Sequence, residues 1–600
     1  MSPLFRTAAA SSIVLAAALA LPAAAQTSAA ATAANEPVNR IVVFGDSLAD
    51  GGYYLTLDPR IPRDAGSFTT NPDPVAPEVM ASRLGVDLLP FYGQNGTNYA
   101  VGGARVTAAN ALSIPITTQI DRFLATGGTF GSRDLVYIQG GGNDYFAFQA
   151  GGSTNNAILT TAASQLAAQV VRVQAAGASR IVTLAVQTGG AAGLALFNQT
   201  FAAGLRAGNV NALYFDTDRL FNEIVANAAS FGIGTTQTGV ACTVASSLNC
   251  NRSTLVNATA NETYLLADSV HPAGITQRIQ GQAIASLVQA PEQLAGLAYA
   301  GQASFRAQRD LFEAPLRAGV AREGRRLGFW GQAGYRYYDT GTSNQRVGLT
   351  ERGFAGTAGL DLTLGERSGI GVVGGYADGR GEFDLGAGDY RAKSWTASGY
   401  GRLGIGPFRL LVDGSYGQID YDRIRRTVRL GPAFREQRGS TDGDYVAGRA
   451  QAAIDLFTAG GVGFGPDAAV QYDKLTIDGY VESPAVSTSV TVGRQRLESL
   501  TGRIGAVARA VPGGAVGFFA RAGYEREFED DIRSLTITPT GAPISFTSPV
   551  LRADRNYMSY AMGVDGPIFG GFTVRAGVAG EALRENRDRV TGYAGLSLAF

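Results

Sequence analysis

The sequence predicts two folds in one chain: an α/β domain with a parallel sheet, followed by a 12-stranded transmembrane antiparallel β-barrel. Between residues 40 and 290, short apolar runs alternate with stretches of helical periodicity, which is typical of a parallel sheet covered by helices. Between residues 329 and 600, segments of about ten residues alternate in polarity between turn residues, which is typical of an outer-membrane barrel.

The composition narrows the classes of function. The 600 residues leave room for more than one domain, and the hydrophobic fraction of 45% argues against a disordered chain. Acidic and basic residues number 50 each, so no surface for a polyanion such as nucleic acid is indicated. One histidine and two cysteines exclude a zinc cluster, a disulfide framework and most histidine-based metal sites.

The amino terminus is predicted to be a secretory signal peptide, residues 1–25. Arg6 gives a short positive start, residues 7–22 are mainly apolar, and Ala23–Ala25 supplies small residues for cleavage before Gln26. The alternative is an amino-terminal membrane anchor, for which the apolar run is short.

Four apolar runs are predicted to be buried parallel strands of the N-terminal domain. They are residues 41–44, 135–138, 181–186 and 212–215. Because helical periodicity between Ala157 and Ala176 separates the second run from the third, we expect helices to cover the sheet. Open parallel sheets bind ligands at the carboxyl ends of their strands. Residues 291–328 are expected to be a helical linker in which Pro291 starts the helix, the alternative being an ordinary domain linker.

The C-terminal half contains twelve segments with alternating polarity. They lie near residues 329–338, 353–364, 369–378, 393–404, 408–418, 444–456, 462–474, 498–510, 515–525, 556–564, 572–582 and 590–600. An even number of such strands after a secretory start favours a barrel, whose closure leaves no unpaired edge in lipid. A soluble β-sandwich and a β-solenoid are alternatives that alternating polarity by itself cannot distinguish from a barrel. The aromatic residues expected in the girdles at the membrane interfaces are Trp330, Tyr335, Tyr337, Trp395 and Tyr400.

Polar motifs follow the predicted strands. Ser47, in the turn Phe44–Leu48 after the first strand, places a hydroxyl near helix amides that favour negative charge. Such a turn by itself is usually only a cap. The glycine turn Asn98–Ala104 offers backbone amides, and Asn143 follows the second strand at the carboxyl edge of the sheet.

The only histidine, His271, follows Asp268 by three residues. That spacing lets Asp268 accept a hydrogen bond from one ring nitrogen while the other takes a proton from Ser47. A lone histidine is more often a surface or capping residue. The presence of four concordant motifs in order favours the catalytic interpretation.

These motifs resemble the ordered blocks of GDSL (SGNH) hydrolases, and the C-terminal 270 or so residues resemble an autotransporter translocator. Together the chain resembles the autotransporter GDSL esterases/lipases of Gram-negative bacteria. The resemblance implies a passenger with a flavodoxin-like three-layer α/β/α fold at residues 26–290 and a barrel at residues 329–600.

The resemblance also implies the role of each site residue. Ser47 is the nucleophile, His271 the general base, and Asp268 the group that orients the imidazole. The oxyanion hole is formed by the Ser47 amide, Gly103 and the Asn143 side chain, with Gly102 as a neighbour that the sequence does not exclude. Two further carboxylates of the blocks are read as structural supports, namely Asp46 and Asp144.

The expected function is that of a cell-surface serine esterase/lipase anchored in the outer membrane by its own barrel. Alternatives are a deacetylase or phospholipase with the same site, or a non-catalytic surface adhesin. No metal or organic cofactor is expected. The expected partners are an acyl-ester substrate, outer-membrane lipid and the barrel-assembly machinery, without nucleic acid, and the chain is expected to be a monomer. A disulfide between Cys242 and Cys250 is plausible in an oxidising compartment.

Overall fold

The structure is a computed structural model that describes most of the chain beyond its amino-terminal segment. It covers residues 37–109, 113–234, 236–317, 327–365, 368–459, 462–510, 516–529, 533–550, 554–568, 571–584 and 587–599. The expected signal peptide 1–25, Gln26 and the terminal Phe600 lie outside these residues. Among the described residues, no helix is both long enough and apolar enough to cross a membrane.

The N-terminal domain is built on a four-stranded parallel sheet. Its strands, hydrogen-bonded in this order, are β1 (Arg40–Phe44), β2 (Asp134–Ile138), β3 (Ile181–Leu184) and β4 (Leu213–Phe215). All the pairings within this sheet are parallel, and each of the four predicted runs overlaps one strand. A second parallel pair consists of β5 (Thr236–Val240) and β6 (Tyr264–Leu266).

Helices cover both faces of this sheet. They are α1 (Ala76–Arg83), α2 (Phe91–Gln94), α3 (Ile116–Ala125), α4 (Gly142–Ala150), α5 (Ala157–Ala175), α6 (Ala192–Ala207), α7 (Thr217–Ala226), α8 (Ala260–Thr263) and α9 (Gly274–Arg317), with 3-10 turns at Tyr53–Thr56, Ala228–Phe231, Ser247–Asn249 and Arg252–Thr254. Val42 and Phe44 of β1 share one apolar cluster with α3, α5 and α6. Ile41 and Val43 point to the other face, where α1, α7 and α9 pack. Because successive side chains of a strand alternate between faces, the apolar residues 41–44 of β1 are buried on both sides in a three-layer α/β/α domain.

The C-terminal half is a closed antiparallel barrel of twelve strands. They are β7 (Leu327–Thr340), β8 (Leu349–Gly365), β9 (Ser368–Phe383), β10 (Gly388–Ile405), β11 (Phe408–Leu430), β12 (Ala433–Ile454), β14 (Val462–Ile477), β17 (Gln495–Ala510), β18 (Gly517–Glu527), β21 (Asn556–Pro567), β22 (Phe572–Ala582) and β23 (Arg587–Ala599). The short β13 (Phe457–Ala459) pairs with β14. Closure comes from the pairings of β23 with β7 and of β12 with β14. Each predicted segment overlaps one of the twelve strands.

The predicted aromatic girdle is partly wrong. Tyr335 and Trp395 are exposed on the outer face, as expected, whereas Trp330 and Tyr400 are buried and pack around Phe312 of α9 in the lumen. The prediction considered only that these residues are aromatic, and it did not consider which face of the strand each one occupies. Since alternate residues of a barrel strand face opposite sides, Trp330 and Tyr335, five positions apart on β7, cannot share a face.

Helix α9 joins the two domains without interruption. The predicted helix start at Pro291 is wrong, because the helix begins at Gly274 and passes through Pro291. The end of α9 lies inside the barrel, where Arg309 donates to Asp473 of β14 at 3.1 Å and Gln308 donates to Ser394 of β10 at 2.9 Å. The backbone hydrogen bond that the proline cannot donate is offset by burial of the surrounding helix against both domains.

Long loops at one end of the barrel form a second sheet that holds the N-terminal domain. Its strands are β15 (Tyr480–Val481), β16 (Val490–Val492), β19 (Ser534–Pro539) and β20 (Phe546–Pro549). Buried Arg426 of β11 fixes this sheet through Glu482, with a shortest N–O distance of 2.5 Å. Asn211, just before β4, donates to the Thr547 carbonyl at 2.9 Å, and Val38, just before β1, contacts Gln345. These barrel contacts therefore lie at the amino ends of β1 and β4, away from the motifs that follow the carboxyl ends.

Candidate active site

The turn after β1 holds the Ser47 side chain at the carboxyl edge of the sheet. Asp46 accepts hydrogen bonds from the Leu48 amide at 3.1 Å and from Gln139 Nε2 at 2.9 Å. Gln119 pairs with both the amide and the carbonyl of Gly45 at 2.9 Å. Gln139 directly follows β2 and Gln119 lies in α3, so these buried amide side chains fix the turn from two sides.

The structure brings together Ser47, His271 and Asp268, which lie far apart in the sequence. Nε2 of His271 is 2.9 Å from Ser47 Oγ, and Nδ1 is 2.9 Å from both carboxylate oxygens of Asp268. The Phe68 ring packs against the imidazole with ring centroids 4.9 Å apart. The imidazole is therefore oriented on one side by the carboxylate and on one face by an aromatic ring.

Asp268 is held as a carboxylate. Burial by itself would raise its pKa, but the hydrogen bond and charge of His271 and the Ser247 amide lower it, and the net pKa lies well below the usual carboxyl range. The Ser247 amide donates to Oδ2 at 2.7 Å, and the amides of Val270 and His271 donate to Oδ1 at 2.9 Å. An ionised Asp268 stabilises a protonated imidazole.

The glycine turn lies against the serine turn. Val101 donates its amide to the Gly45 carbonyl at 3.2 Å, and Asn98 Nδ2 donates to the Ala49 carbonyl at 2.8 Å. The Gly102 amide donates to Asp50 Oδ2 at 2.8 Å, so that amide is already engaged. Gly103 has a φ of 75°, a left-handed conformation that favours glycine.

Gly102 is required by close packing as well. A Cβ atom at this position would lie 2.3 Å from the Phe68 ring and 2.9 Å from the Tyr54 ring. The Tyr54 hydroxyl also donates to the Gly102 carbonyl at 2.8 Å. Phe68 therefore bridges the glycine turn and the imidazole, forming an aromatic wall of the site.

Asn143 lies in the first turn of α4, directly after β2. Its Nδ2 donates to the Ala104 carbonyl at 3.0 Å, which places the amide beside the glycine turn. The adjacent Asp144 accepts from the Val106 amide and from Arg105 Nε, both at 3.0 Å. Asp144 thus fixes the end of the glycine turn and does not face the serine, consistent with a supporting position.

Two carboxyl groups next to the serine turn, the buried Asp50 and the partly buried Glu78, were missed by sequence reasoning. Asp50 Oδ1 accepts the amides of Gly52 and Tyr53 at 2.9 and 2.7 Å, so Asp50 links the start of the 3-10 turn Tyr53–Thr56 to Gly102. Burial raises the pKa of Asp50 to about 6, although these amides oppose the shift. Burial likewise raises the pKa of Glu78 to about 7. The signal for Asp50 in the sequence is its position three residues after Ser47.

Cys242 and Cys250 are joined by a disulfide, with their Cα atoms 5.8 Å apart. Within the described part of the chain, no group of three or more His, Cys, Asp or Glu side chains is arranged to hold a metal ion.

A serine next to an imidazole that is held by a carboxylate, at the carboxyl edge of a parallel sheet, defines a serine-hydrolase class of site. Here that domain is joined to a closed transmembrane barrel. Residues 41–284 match the family GDSL-like Lipase/Acylhydrolase, and residues 329–579 match the family Autotransporter beta-domain. The chain thus combines these two domains and is a carboxylic ester hydrolase. Its autotransporter barrel implies an outer-membrane location with the passenger at the cell surface.

Similar proteins share both parts. Esterase EstA of Pseudomonas aeruginosa and Esterase EstA of Pseudomonas putida are each 28% identical over 588 residues, covering 86% of this chain and 88% of theirs. Lipase 1 of Photorhabdus luminescens is 23% identical over 624 residues, covering 88% of this chain and 91% of its own. Among solved structures, the translocator domain of the autotransporter NalP from Neisseria meningitidis is 17% identical, with a TM-score of 0.40 over 50% of this chain and 98% of that domain.

Proposed function

We propose that the protein is a cell-surface esterase/lipase that hydrolyses acyl esters through a Ser47–His271–Asp268 triad. The single observation that carries the proposal is the continuous set of contacts from Ser47 Oγ to His271 Nε2 and from Nδ1 to Asp268, each at 2.9 Å. This geometry lets the imidazole take the serine proton while its other nitrogen remains bonded to the carboxylate.

The reaction proceeds through an acyl-enzyme. Ser47 Oγ attacks the ester carbonyl carbon as His271 Nε2 takes the hydroxyl proton, and a tetrahedral oxyanion forms. The C–O bond to the alcohol then breaks while the imidazole returns the proton to the leaving oxygen. Water attacks the acyl-enzyme with His271 again as the base, which releases the carboxylic acid and restores Ser47.

The oxyanion is stabilised by the Ser47 amide, the Gly103 amide and Asn143 Nδ2. Gly103 is proposed as the donor from the glycine turn because of its place in the motif, and the neighbouring Gly102 amide donates to Asp50. Asn143 Nδ2 uses one hydrogen for Ala104, so its second hydrogen is available for the substrate. Removal of one such donor costs about 3–4 kcal/mol of transition-state stabilisation in measured cases.

The route to the surface follows from the predicted domain division. Residues 1–25 direct secretion, residues 26–290 are the passenger, residues 291–328 the linker, and residues 329–600 the barrel. The barrel-assembly machinery inserts the barrel, whose exposed apolar outer residues such as Leu360, Val372 and Phe518 contact membrane lipid. The protein acts as a monomer without a cofactor or nucleic acid.

The test is a panel of acyl esters of graded chain length, supplied to intact cells that display the wild type or Ser47→Ala. We expect the rate of hydrolysis by Ser47→Ala to fall to a residual value about 10³–10⁴-fold above that of the uncatalysed reaction in water. The amount of protein displayed at the surface should not change. Ser82→Ala is the matched control, because Ser82 is an exposed serine of α1. Near-normal hydrolysis by purified Ser47→Ala would overturn the proposal, and ester binding without turnover by the wild type would instead favour an adhesin.

A further inference from the structure

The disulfide loop, defined as residues 242–250, lies directly against the triad carboxylate. Its Ser247 amide donates to Asp268 Oδ2 at 2.7 Å, in a buried bond across 21 residues of sequence. We propose that the disulfide loop is the positioning element for Asp268, because it fixes the Ser247 amide that sets the orientation of the carboxylate toward His271. This inference rests on the proposed catalytic function.

The two oxygens of Asp268 are held from different parts of the chain. Oδ1 accepts the amides of Val270 and His271, which belong to the same turn as Asp268. Oδ2 accepts the Ser247 amide, which belongs to the disulfide loop. Without this amide, Oδ2 would keep only its contact with the imidazole, and the orientation of the carboxylate would depend on the bonds at Oδ1 and on the imidazole.

The disulfide loop is anchored on both sides of the site. The Cys242 amide donates to the carbonyl of Ala267, the residue before Asp268, at 3.0 Å. Asn71 Nδ2 donates to the carbonyls of Ser247 and Cys250 at 3.2 and 3.0 Å. The Gly66 amide donates to the Leu248 carbonyl at 3.0 Å. The loop therefore connects the strand that leads to Asp268 with the segment that carries Phe68.

The amide of Ser247, and not its side chain, makes the contact. Ser247 is 0% exposed, and its Oγ has no hydrogen-bond partner among the described residues. The residue begins a 3-10 turn, and Ser246 before it is extended, with φ −124° and ψ 130°. A proline is tolerated at the first position of a helical turn after an extended residue. Ser247→Pro therefore removes the donor N–H and places the ring Cδ against Asp268 Oδ2, which breaks this contact at a position whose preceding residue is already extended.

The first experiment compares Ser247→Pro with Ser247→Ala in the full-length protein. The alanine variant keeps the amide that the proline variant lacks. A hydrogen bond to a charged group corresponds to about a 10- to 150-fold effect, so we expect kcat of Ser247→Pro to fall by about that factor below kcat of Ser247→Ala. KM should differ by less than about threefold, because the amide acts on the carboxylate and does not touch the substrate.

The second experiment removes the disulfide by the double change Cys242→Ala and Cys250→Ala, with and without Asp268→Ala. Groups that act through one another give non-additive losses. When Asp268 is present, we expect removal of the disulfide to lower kcat about tenfold or more. In the Asp268→Ala background, the same removal should lower kcat by no more than about twofold relative to Asp268→Ala alone. Asn249→Ala, at an exposed position of the same loop, is the matched control and should keep wild-type kcat.

The outcomes separate this inference from the proposed function. Equal kcat for Ser247→Pro and Ser247→Ala, or an undiminished loss from disulfide removal in the Asp268→Ala background, would overturn the positioning role. Full activity of Asp268→Ala would overturn the triad itself. If Ser247→Pro fails to fold, as judged by thermal unfolding, the non-additivity measured with the cysteine variants decides the question.

Discussion

Asp50 offers a sharp test of how the glycine turn is fixed. One oxygen accepts the amides of Gly52 and Tyr53, and the other accepts the Gly102 amide at 2.8 Å. In Asp50→Asn, the remaining oxygen can still accept the Gly52 and Tyr53 amides, whereas the new NH₂ group faces the Gly102 N–H with two donors opposed. The substitution therefore keeps the shape of the side chain and disrupts one side of the link.

The size of the effect follows from the lost acceptor. A buried N–H without a partner costs about 1–3 kcal/mol. If that cost falls on the arrangement of the glycine turn in the transition state, kcat should decrease about 5- to 150-fold. Because burial raises the pKa of Asp50 to about 6, protonation imitates the substitution. The ratio of wild-type to variant kcat should narrow as the pH falls below about 6.

The assay is kcat and KM for a soluble acyl ester from pH 5 to pH 8, with thermal unfolding as the control for folding. Asp87→Asn is the matched variant, because Asp87 is an exposed carboxylate of the same domain. An Asp50→Asn protein with kcat equal to that of Asp87→Asn at pH 8 would refute the reasoning. A ratio that stays constant across the pH range would show that ionisation of Asp50 is not the cause.

Two further predictions concern stability. Burial raises the pKa of Glu78 from 4.5 to about 7, so the folded state binds its proton more tightly and stability decreases as the pH rises from about 4.5 to 7, by up to about 3 kcal/mol. Urea unfolding followed by the helical signal should show this decrease in the free energy of unfolding in the wild type, and a smaller decrease in Glu78→Gln. An equal pH dependence of the two proteins would contradict the prediction. Arg426→Ala should leave buried Glu482 without its guanidinium and cost about 3–5 kcal/mol. Limited proteolysis at residues 480–492 should then accelerate while kcat of intact protein stays unchanged, and unchanged cleavage would contradict the assigned contact.

The sequence predicted the elements whose pattern is local. The barrel strands were found because polarity alternates with period two, and the strands of the parallel sheet because each is a short run buried on both faces. The extensions of β11 to Leu430 and of β12 back to Ala433 were not predicted. These extensions bury Tyr421 and Leu430 against α9 and neighbouring strands, a contact that the local pattern does not contain.

Long-range contacts account for most of what the sequence missed at the site. Spacing was enough to place Asp268 near His271, since the two share one turn. The Ser247 amide and the Gln119 side chain reach the site through the tertiary fold, and no local pattern marks them. The predicted helix start at Pro291 is wrong for the same reason. A proline indicates a helix boundary, but packing of α9 against both domains stabilises a helix that continues through it.

The most direct test of the central claim is covalent labelling of the intact protein with an organofluorophosphonate. Ser47 Oγ should attack phosphorus, fluoride should leave, and His271 should take the serine proton. Mass spectrometry should find one adduct per chain, on the peptide that contains Ser47, with parallel loss of esterase activity. Labelling should disappear in Ser47→Ala and slow at least about 10³-fold in His271→Ala. An adduct on another residue, or full ester hydrolysis after Ser47 is labelled, would contradict the triad.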